Sequence, residues 1–251
     1  MPYVDANGVR TYYEEHGGGP PVVLLHGAAM VAEAWQPQVN ALSKHFTVYV
    51  PERRGVGRTP DNDGPWTYFG MARDMAAFMD ALQIGRADLV GWSDGGNIGL
   101  ILAYSRPDLV RRLVVSGANQ DTDGLSALKY VTHLPAAMLL ATVPPHVAAW
   151  LKIHRRVSPD RGADLHRSFE KMQRMWVDYE IPPSSLSSIS APTLVMAGDR
   201  DVIPLTHTVK IWSAIPGAQL CIAPGADHFW FQEKPDLANQ VVLDFLLAGK
   251  A

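Results

Sequence analysis

Cysteine is almost missing from this chain: Cys221 is the only one in 251 residues. A disulfide within the chain is therefore impossible, and no cage of thiolates can hold a metal. In Gln219-Leu220-Cys221-Ile222-Ala223 the residue reads as a small buried hydrophobe of a strand. An excess of charge is also lacking. Lys and Arg number 22 against 25 Asp and Glu, a net charge of −3 that gives no basic footprint for nucleic acid. No apolar run reaches the roughly 20 residues that a bilayer-spanning helix needs. Met1-Pro2-Tyr3-Val4-Asp5 shows no basic stretch leading into an apolar one, and no Asn-x-Ser/Thr acceptor occurs. The expectation is a cytoplasmic protein with neither nucleic acid nor membrane as partner. What the chain does have is 47% hydrophobic and 19% charged residues, enough for a packed core in one domain with an insertion, or at most two small ones.

The first and last parts of the chain alternate strand and helix patterns. Val9–Glu14, Val22–Leu25, Phe46–Val50, Ala87–Val90 and Leu113–Val115 read as strands, and Val22-Val23-Leu24-Leu25 is the continuous apolar run of a strand buried on both faces. Trp35–Leu42, Thr67–Leu82 and Gly96–Tyr104 read as helices; Phe69, Ala72, Met75, Ala76 and Met79 recur at helical spacing. Pro192–Ala197, a helix over Thr206–Ile215, Gln219–Ala223 and a helix over Pro235–Leu247 resume the rhythm. Such alternation implies a parallel sheet with helices on both faces. Between about Gln120 and Ser190 no convincing strand occurs. Helical stretches there are interrupted by Pro135, Pro144-Pro145 and Pro159, and Pro182-Pro183-Ser184-Ser185 reads as a linker. The expected organisation is a core of residues 1–119 and 191–251 with a helical cap of residues 120–190 inserted after the sixth strand. No repeat or low-complexity tract is present.

The most informative run is Gly91-Trp92-Ser93-Asp94-Gly95, a G-x-S-x-G sequence with a strand before it and a helix after it. By composition alone such a pattern turns up in a chain this long about one time in ten; the strand–turn–helix context is what makes it a nucleophile elbow. A serine hydroxyl is a poor nucleophile at neutral pH and needs an adjacent base, and the base needs a carboxylate to fix its tautomer. His228, in Gly225-Ala226-Asp227-His228-Phe229, follows the last strand. Ala197-Gly198-Asp199-Arg200-Asp201 follows the strand before it and offers two carboxylates, Asp199 and Asp201. The order Ser, Asp, His is one of the three known chain orders of this constellation.

These motifs, together with His26-Gly27 after the first central strand and Arg54-Gly55-Val56-Gly57-Arg58 after the next, resemble the α/β-hydrolases from end to end. The resemblance implies the α/β-hydrolase fold with a short helical cap. It also implies a Ser93–Asp201–His228 triad, because the family's acid usually stands three positions after the loop glycine. Its oxyanion hole would use the backbone N–H groups of Ala28 and Asp94, and no metal or organic cofactor. The absence of a His-Gly-Gly-Gly run argues against the lipases and esterases that carry one. A finer resemblance, through Gly91-Trp92-Ser93-Asp94-Gly95-Gly96 and Gly117-Ala118-Asn119, is to valacyclovir hydrolase-like (biphenyl hydrolase-like) enzymes, in which the acid after the nucleophile helps recognise a substrate α-ammonium. On the residues alone, Asp94 is equally an acid favoured in the first turn of a helix.

The expected reaction is hydrolysis of a small-molecule carboxylic ester through an acyl-enzyme on Ser93, with α-amino esters as one substrate option. A lactonase or a carbon–carbon bond hydrolase would use the same triad, and a ligand-sensing receptor with a vestigial triad is the reading of another class; fold alone does not choose among them. Candidate pocket residues are Asp94, Trp92, Trp150 and Trp176 with Phe229 and Trp230. Tyr130, Met138, Leu139, Phe169, Met172 and Met175 supply further apolar bulk to the cap. His26 is expected to support the oxyanion loop, and Arg53 and Arg54 to form a structural turn. His133, His146, His154, His166 and His207 lack metal-ligand spacing and read as surface or cap residues, and Asp121 and Asp123 as solvated loop carboxylates.

Overall fold

The apolar runs become the interior of one sheet. The computed structural model describes residues 2–128, 138, 143–159 and 165–248. Its first half contains β1 (Tyr3–Ala6), β2 (Val9–Gly17), β3 (Pro21–Leu25), α1 (Gln36–Leu42), β4 (Thr47–Pro51), α2 (Tyr68–Ala81), β5 (Ala87–Trp92), α3 (Asp94–Ser105) and β6 (Val110–Ser116). After these come α4 (Pro145–Val157), α5 (Leu165–Val177), α6 (Pro183–Ser187), β7 (Thr193–Gly198), α7 (Leu205–Ala214), β8 (Gln219–Ala223), α8 (Trp230–Glu233) and α9 (Pro235–Leu247).

The strand order is β1-β2-β4-β3-β5-β6-β7-β8. β1 and β2 run antiparallel, as do β2 and β4, and every pair from β4 across to β8 is parallel. This is the α/β-hydrolase fold. α2 packs on α3, and α1 packs on α8 and α9. Val22, Val23 and Leu24 in β3 and Leu89 and Val90 in β5 are wholly buried, as strands covered on both sides must be. After β3 the chain first builds β4 on one side and then crosses to build β5 on the other. The loops leaving the carboxyl ends of β3 and β5 therefore diverge and open a crevice, where ligands bind in open α/β sheets.

Several elements depart from the sequence expectation. β1 and α8 were not anticipated, since four residues carry too little periodicity to read. α3 starts at Asp94, two residues before the expected Gly96, because the elbow feeds directly into it. Pro182-Pro183-Ser184-Ser185 enters a helical turn, α6, where Pro183 occupies the first-turn position that tolerates a missing N–H. Thr67 lies outside α2 and caps it, its hydroxyl accepting from Gly70 N–H at 2.9 Å.

Between β6 and β7 the described residues form a 3-10 turn (Thr122–Leu128), α4, α5 and α6, with one isolated bridge between Asp121 and Glu180. Tyr130, His133, Pro135 and Leu139 lie outside the described residues. Among the described residues no helix is long and apolar enough to cross a membrane.

Candidate active site

Ser93 stands between β5 and α3 with φ +57° and ψ −122°. An L-residue pays about 1–3 kcal/mol for such a conformation, so the surroundings must enforce it. The enforcement is close packing of backbone. A Cβ on Gly95 would overlap the Leu25 carbonyl of β3, so only glycine lets α3 approach the sheet closely enough to make the turn. Ser93 N–H donates to Ser116 O at 2.8 Å, and Ser93 O accepts from Gly96 N–H at 2.8 Å. The hydroxyl is thereby held at the amino end of α3, whose dipole favours negative charge there.

His228 follows β8 and is 8% exposed. Its Nε2 lies 3.0 Å from Ser93 Oγ and its Nδ1 lies 2.7 Å from Asp201 Oδ1. Asp201 Oδ1 also accepts from Ile203 N–H at 2.9 Å. Burial by itself would lower the imidazole pKa, but the charge and hydrogen bond of Asp201 outweigh it and hold the value above that of an ordinary histidine. The three groups named from distant parts of the sequence thus form one connected chain of donors and acceptors. Asp199, the other carboxylate offered by that loop, points elsewhere: its Oδ1 accepts from Ala226 N–H at 3.1 Å.

The candidate oxyanion donors lie beside this chain. Ala28 and Asp94 both line the cavity over Ser93, and no acceptor among the described residues takes either amide hydrogen. The loop carrying Ala28 is braced from below. His26 Nδ1–H donates to Gly27 O at 2.9 Å, and His26 Nε2 accepts from Arg53 N–H at 3.0 Å. Complete burial, and then the nearby Arg53 charge, push the His26 pKa down to about 3, so this ring is neutral and serves as a fixed strut. Arg53 Nη2 donates to Gly27 O at 2.9 Å and to Asp94 Oδ2 at 3.3 Å.

A cavity of about 340 Å³ opens above Ser93 and His228, within the size range of small-molecule sites. Its walls include Met30, Val147, Phe169 and Met172, with Asn119 as a polar member. Of the candidate pocket residues, Asp94, Trp176 and Phe229 line it. Trp92, Trp150 and Trp230 do not, and the reason is that their rings are used elsewhere. Trp92 is wholly buried in an aromatic cluster with Trp35 (5.8 Å between centroids), Phe231 (5.4 Å) and Trp150 (6.0 Å). Trp150 spans from that cluster to Phe229 at 6.2 Å. Trp230 is wholly buried, its Nε1–H donating to Ser116 Oγ at 2.9 Å.

Other residues are placed differently from the sequence reading. His207 is buried in α7, where its Nε2 accepts from Gln120 N–H at 3.0 Å. His154, by contrast, lies in α4 within the segment expected to form the cap, and is buried there with its Nδ1 accepting from Gly57 N–H at 2.9 Å. Asp121 is half-buried and paired with Lys210 at 2.8 Å rather than solvated. The polar group around Asp94 was not foreseen. Tyr68 O–H donates to Asp94 Oδ1 at 2.7 Å and Trp176 Nε1–H to the same oxygen at 3.1 Å. Tyr179 O–H donates to Asn119 O at 2.8 Å, beside Asn97. These contacts join segments 26 to 82 residues apart, and no short motif encodes them.

A family model described as "Alpha/beta hydrolase family" matches residues 22–241. The chain is 30% identical to the "Putative carbamate hydrolase RutD" of Azorhizobium caulinodans, with 98% of each chain covered. It is 30% identical to the "Serine hydrolase BPHL" of Homo sapiens, covering 97% of this chain and 85% of that protein. The solved enol-lactonase from Burkholderia xenovorans LB400 matches with a TM-score of 0.82 and 26% identity, over 98% of this chain and 99% of that one.

Proposed function

Because the chain belongs to the alpha/beta hydrolase family over residues 22–241, we propose that it is a serine hydrolase cleaving carboxylic esters of small molecules through an acyl-enzyme on Ser93. The observation that carries this reading is the unbroken chain from Ser93 Oγ to His228 Nε2 (3.0 Å) and from His228 Nδ1 to Asp201 (2.7 Å) at the floor of the cavity.

His228 Nε2 takes the hydroxyl proton as Ser93 Oγ attacks the ester carbonyl. The carbonyl oxygen becomes an oxyanion facing the backbone N–H groups of Ala28 and Asp94, donors of a kind whose removal typically costs about 2.7–4 kcal/mol of transition-state stabilisation. His228 then returns the proton to the departing alcohol oxygen. Water repeats the sequence: His228 takes its proton, its oxygen attacks the acyl carbon, and the proton passes back to Ser93 Oγ as the acid leaves. Asp201 holds the imidazole in the Nδ1–H tautomer and balances its transient charge. Residues 120–190 act as a cap over residues 1–119 and 191–251, contributing Trp176, Phe169 and Met172 to the cavity.

Lactones are cyclic esters open to the same attack, and the likeness to an enol-lactonase favours including them as substrates. The test is a fluorophosphonate probe together with p-nitrophenyl esters, lactones and carbamates. The probe should label wild-type protein at residue 93, and Ser93→Ala should lose both labelling and ester turnover while keeping its melting temperature. Undiminished turnover in that variant would refute the mechanism. Turnover of carbamates alone would replace esters as the substrate class.

A further inference from the structure

Asp94 places a carboxylate directly after the nucleophile, on the wall of the cavity. An unbalanced carboxylate there would draw a cationic substrate, because a charge kept from water seeks a partner. The Asp94 side chain is not unbalanced. It is 4% exposed and the Arg53 side chain 2%, and the two meet at 3.3 Å. Tyr68 and Trp176 both donate to the other oxygen, so three of about four acceptor positions on the carboxylate face protein donors. Arg53 is itself held from turning away: Nη2 also donates to Gly27 O at 2.9 Å, and Nη1 lies 3.2 Å from Met71 Sδ.

No lysine or arginine lines the cavity among the described residues, and the groups facing it besides Ser93, Asp94, His228 and Asn119 are apolar or backbone. An anionic ester would enter this space with no counter-charge. A cationic one would have to displace a guanidinium that is already in place.

Resting on the serine-hydrolase reading, we propose that Arg53 is a specificity-determining residue: as the internal counter-ion of Asp94 it makes the site select esters that carry no formal charge. Arg53 touches no reacting atom. It acts through Asp94, cancelling the field that the carboxylate would otherwise present to the ligand.

The experiment compares kcat/KM for four esters of similar size by acid release: ethyl butanoate, ethyl hydrogen succinate, alanine ethyl ester and butyrylcholine. In the wild type the uncharged ester should exceed each charged one by about tenfold or more. Arg53→Met should raise the ratio of alanine ethyl ester to ethyl butanoate about tenfold, whatever its absolute rate, by leaving Asp94 unbalanced. Asp94→Asn reverses the sign, leaving Arg53 unbalanced, and should raise the ratio of ethyl hydrogen succinate to ethyl butanoate about tenfold. If Arg53→Met does not fold, Asp94→Asn and the wild-type ratios decide. A wild type that prefers any charged ester, or folded variants with unchanged ratios while the fluorophosphonate still labels residue 93, overturns the role of Arg53 and leaves the serine hydrolase standing. Absence of labelling in the wild type overturns the serine-hydrolase reading and this inference with it.

Discussion

The indole N–H of Trp92 donates to the backbone carbonyl of His228 at 2.8 Å, across 136 residues of sequence. The residue before the candidate nucleophile thus fixes the backbone of the candidate base, and Ser93 and His228 are positioned by one shared contact as well as by their own loops. Trp92→Phe keeps a ring in the aromatic cluster but leaves that buried carbonyl without its donor, a loss of about 1–3 kcal/mol. Unfolding in urea should show a destabilisation of that order. Ester kcat should fall further than the KM changes, because His228 moves relative to Ser93; a variant with lower stability and unaltered kcat would mean the contact serves packing alone.

The rate should depend on pH through His228. Only the neutral imidazole accepts the serine proton, so activity is lost as pH falls through the His228 pKa. Asp201 raises that pKa against the effect of burial. The acid limb of kcat/KM for an uncharged ester should therefore have its midpoint above the ordinary histidine value of about 6.5. In Asp201→Asn the residual activity should have its acid limb at lower pH, since the charge that favours the imidazolium is gone. A limb that does not move between the two proteins would detach it from His228.

Two carboxylates two residues apart have opposite expected consequences. Asp201→Asn should lower kcat by about 10⁴, the order seen when a triad acid is made neutral and the histidine tautomer is released. Asp199→Asn should stay within about threefold of wild type, because Asp199 braces the loop through Ala226 N–H and an amide oxygen can still accept that bond. Matched kinetics of the two variants, with circular dichroism to confirm folding, separate the assignments.

Gly117 has φ +59°, and a Cβ there would lie 2.8 Å from His228 Cε1. Gly117→Ala should lower stability by about 1–2 kcal/mol through the left-handed backbone alone. It should also lower kcat more steeply than it changes KM by pushing the imidazole off its line between Asp201 and Ser93. Thermal unfolding alongside steady-state kinetics would show both effects; a stability loss with an unchanged kcat would mean that His228 accommodates the methyl group.

Much of this was legible before folding. The strand-turn-helix around Ser93 could be read because each part is local: an apolar run, a small-residue turn and a helix whose residues are close in sequence. His228 was legible because it follows the last strand of an alternating pattern. The choice of Asp201 over Asp199 came from resemblance alone, since both follow the same strand; what separates them in the structure is which carboxyl turns toward the imidazole and which toward Ala226. The pocket tryptophans were half legible. Trp176 reaches the cavity, whereas Trp92, Trp150 and Trp230 serve buried aromatic packing or hydrogen bonds, and a sequence does not say which side of an aromatic ring will face a ligand.

The sequence by itself determined the order of elements and the identity of the reactive groups, because those depend on neighbours within a few residues. Only the tertiary structure decided that Arg53 would meet Asp94 41 residues away and that an aromatic cluster would anchor His228. Charge balance and close packing are sums over whatever groups the fold brings together, and those sums are taken across the molecule rather than along the chain.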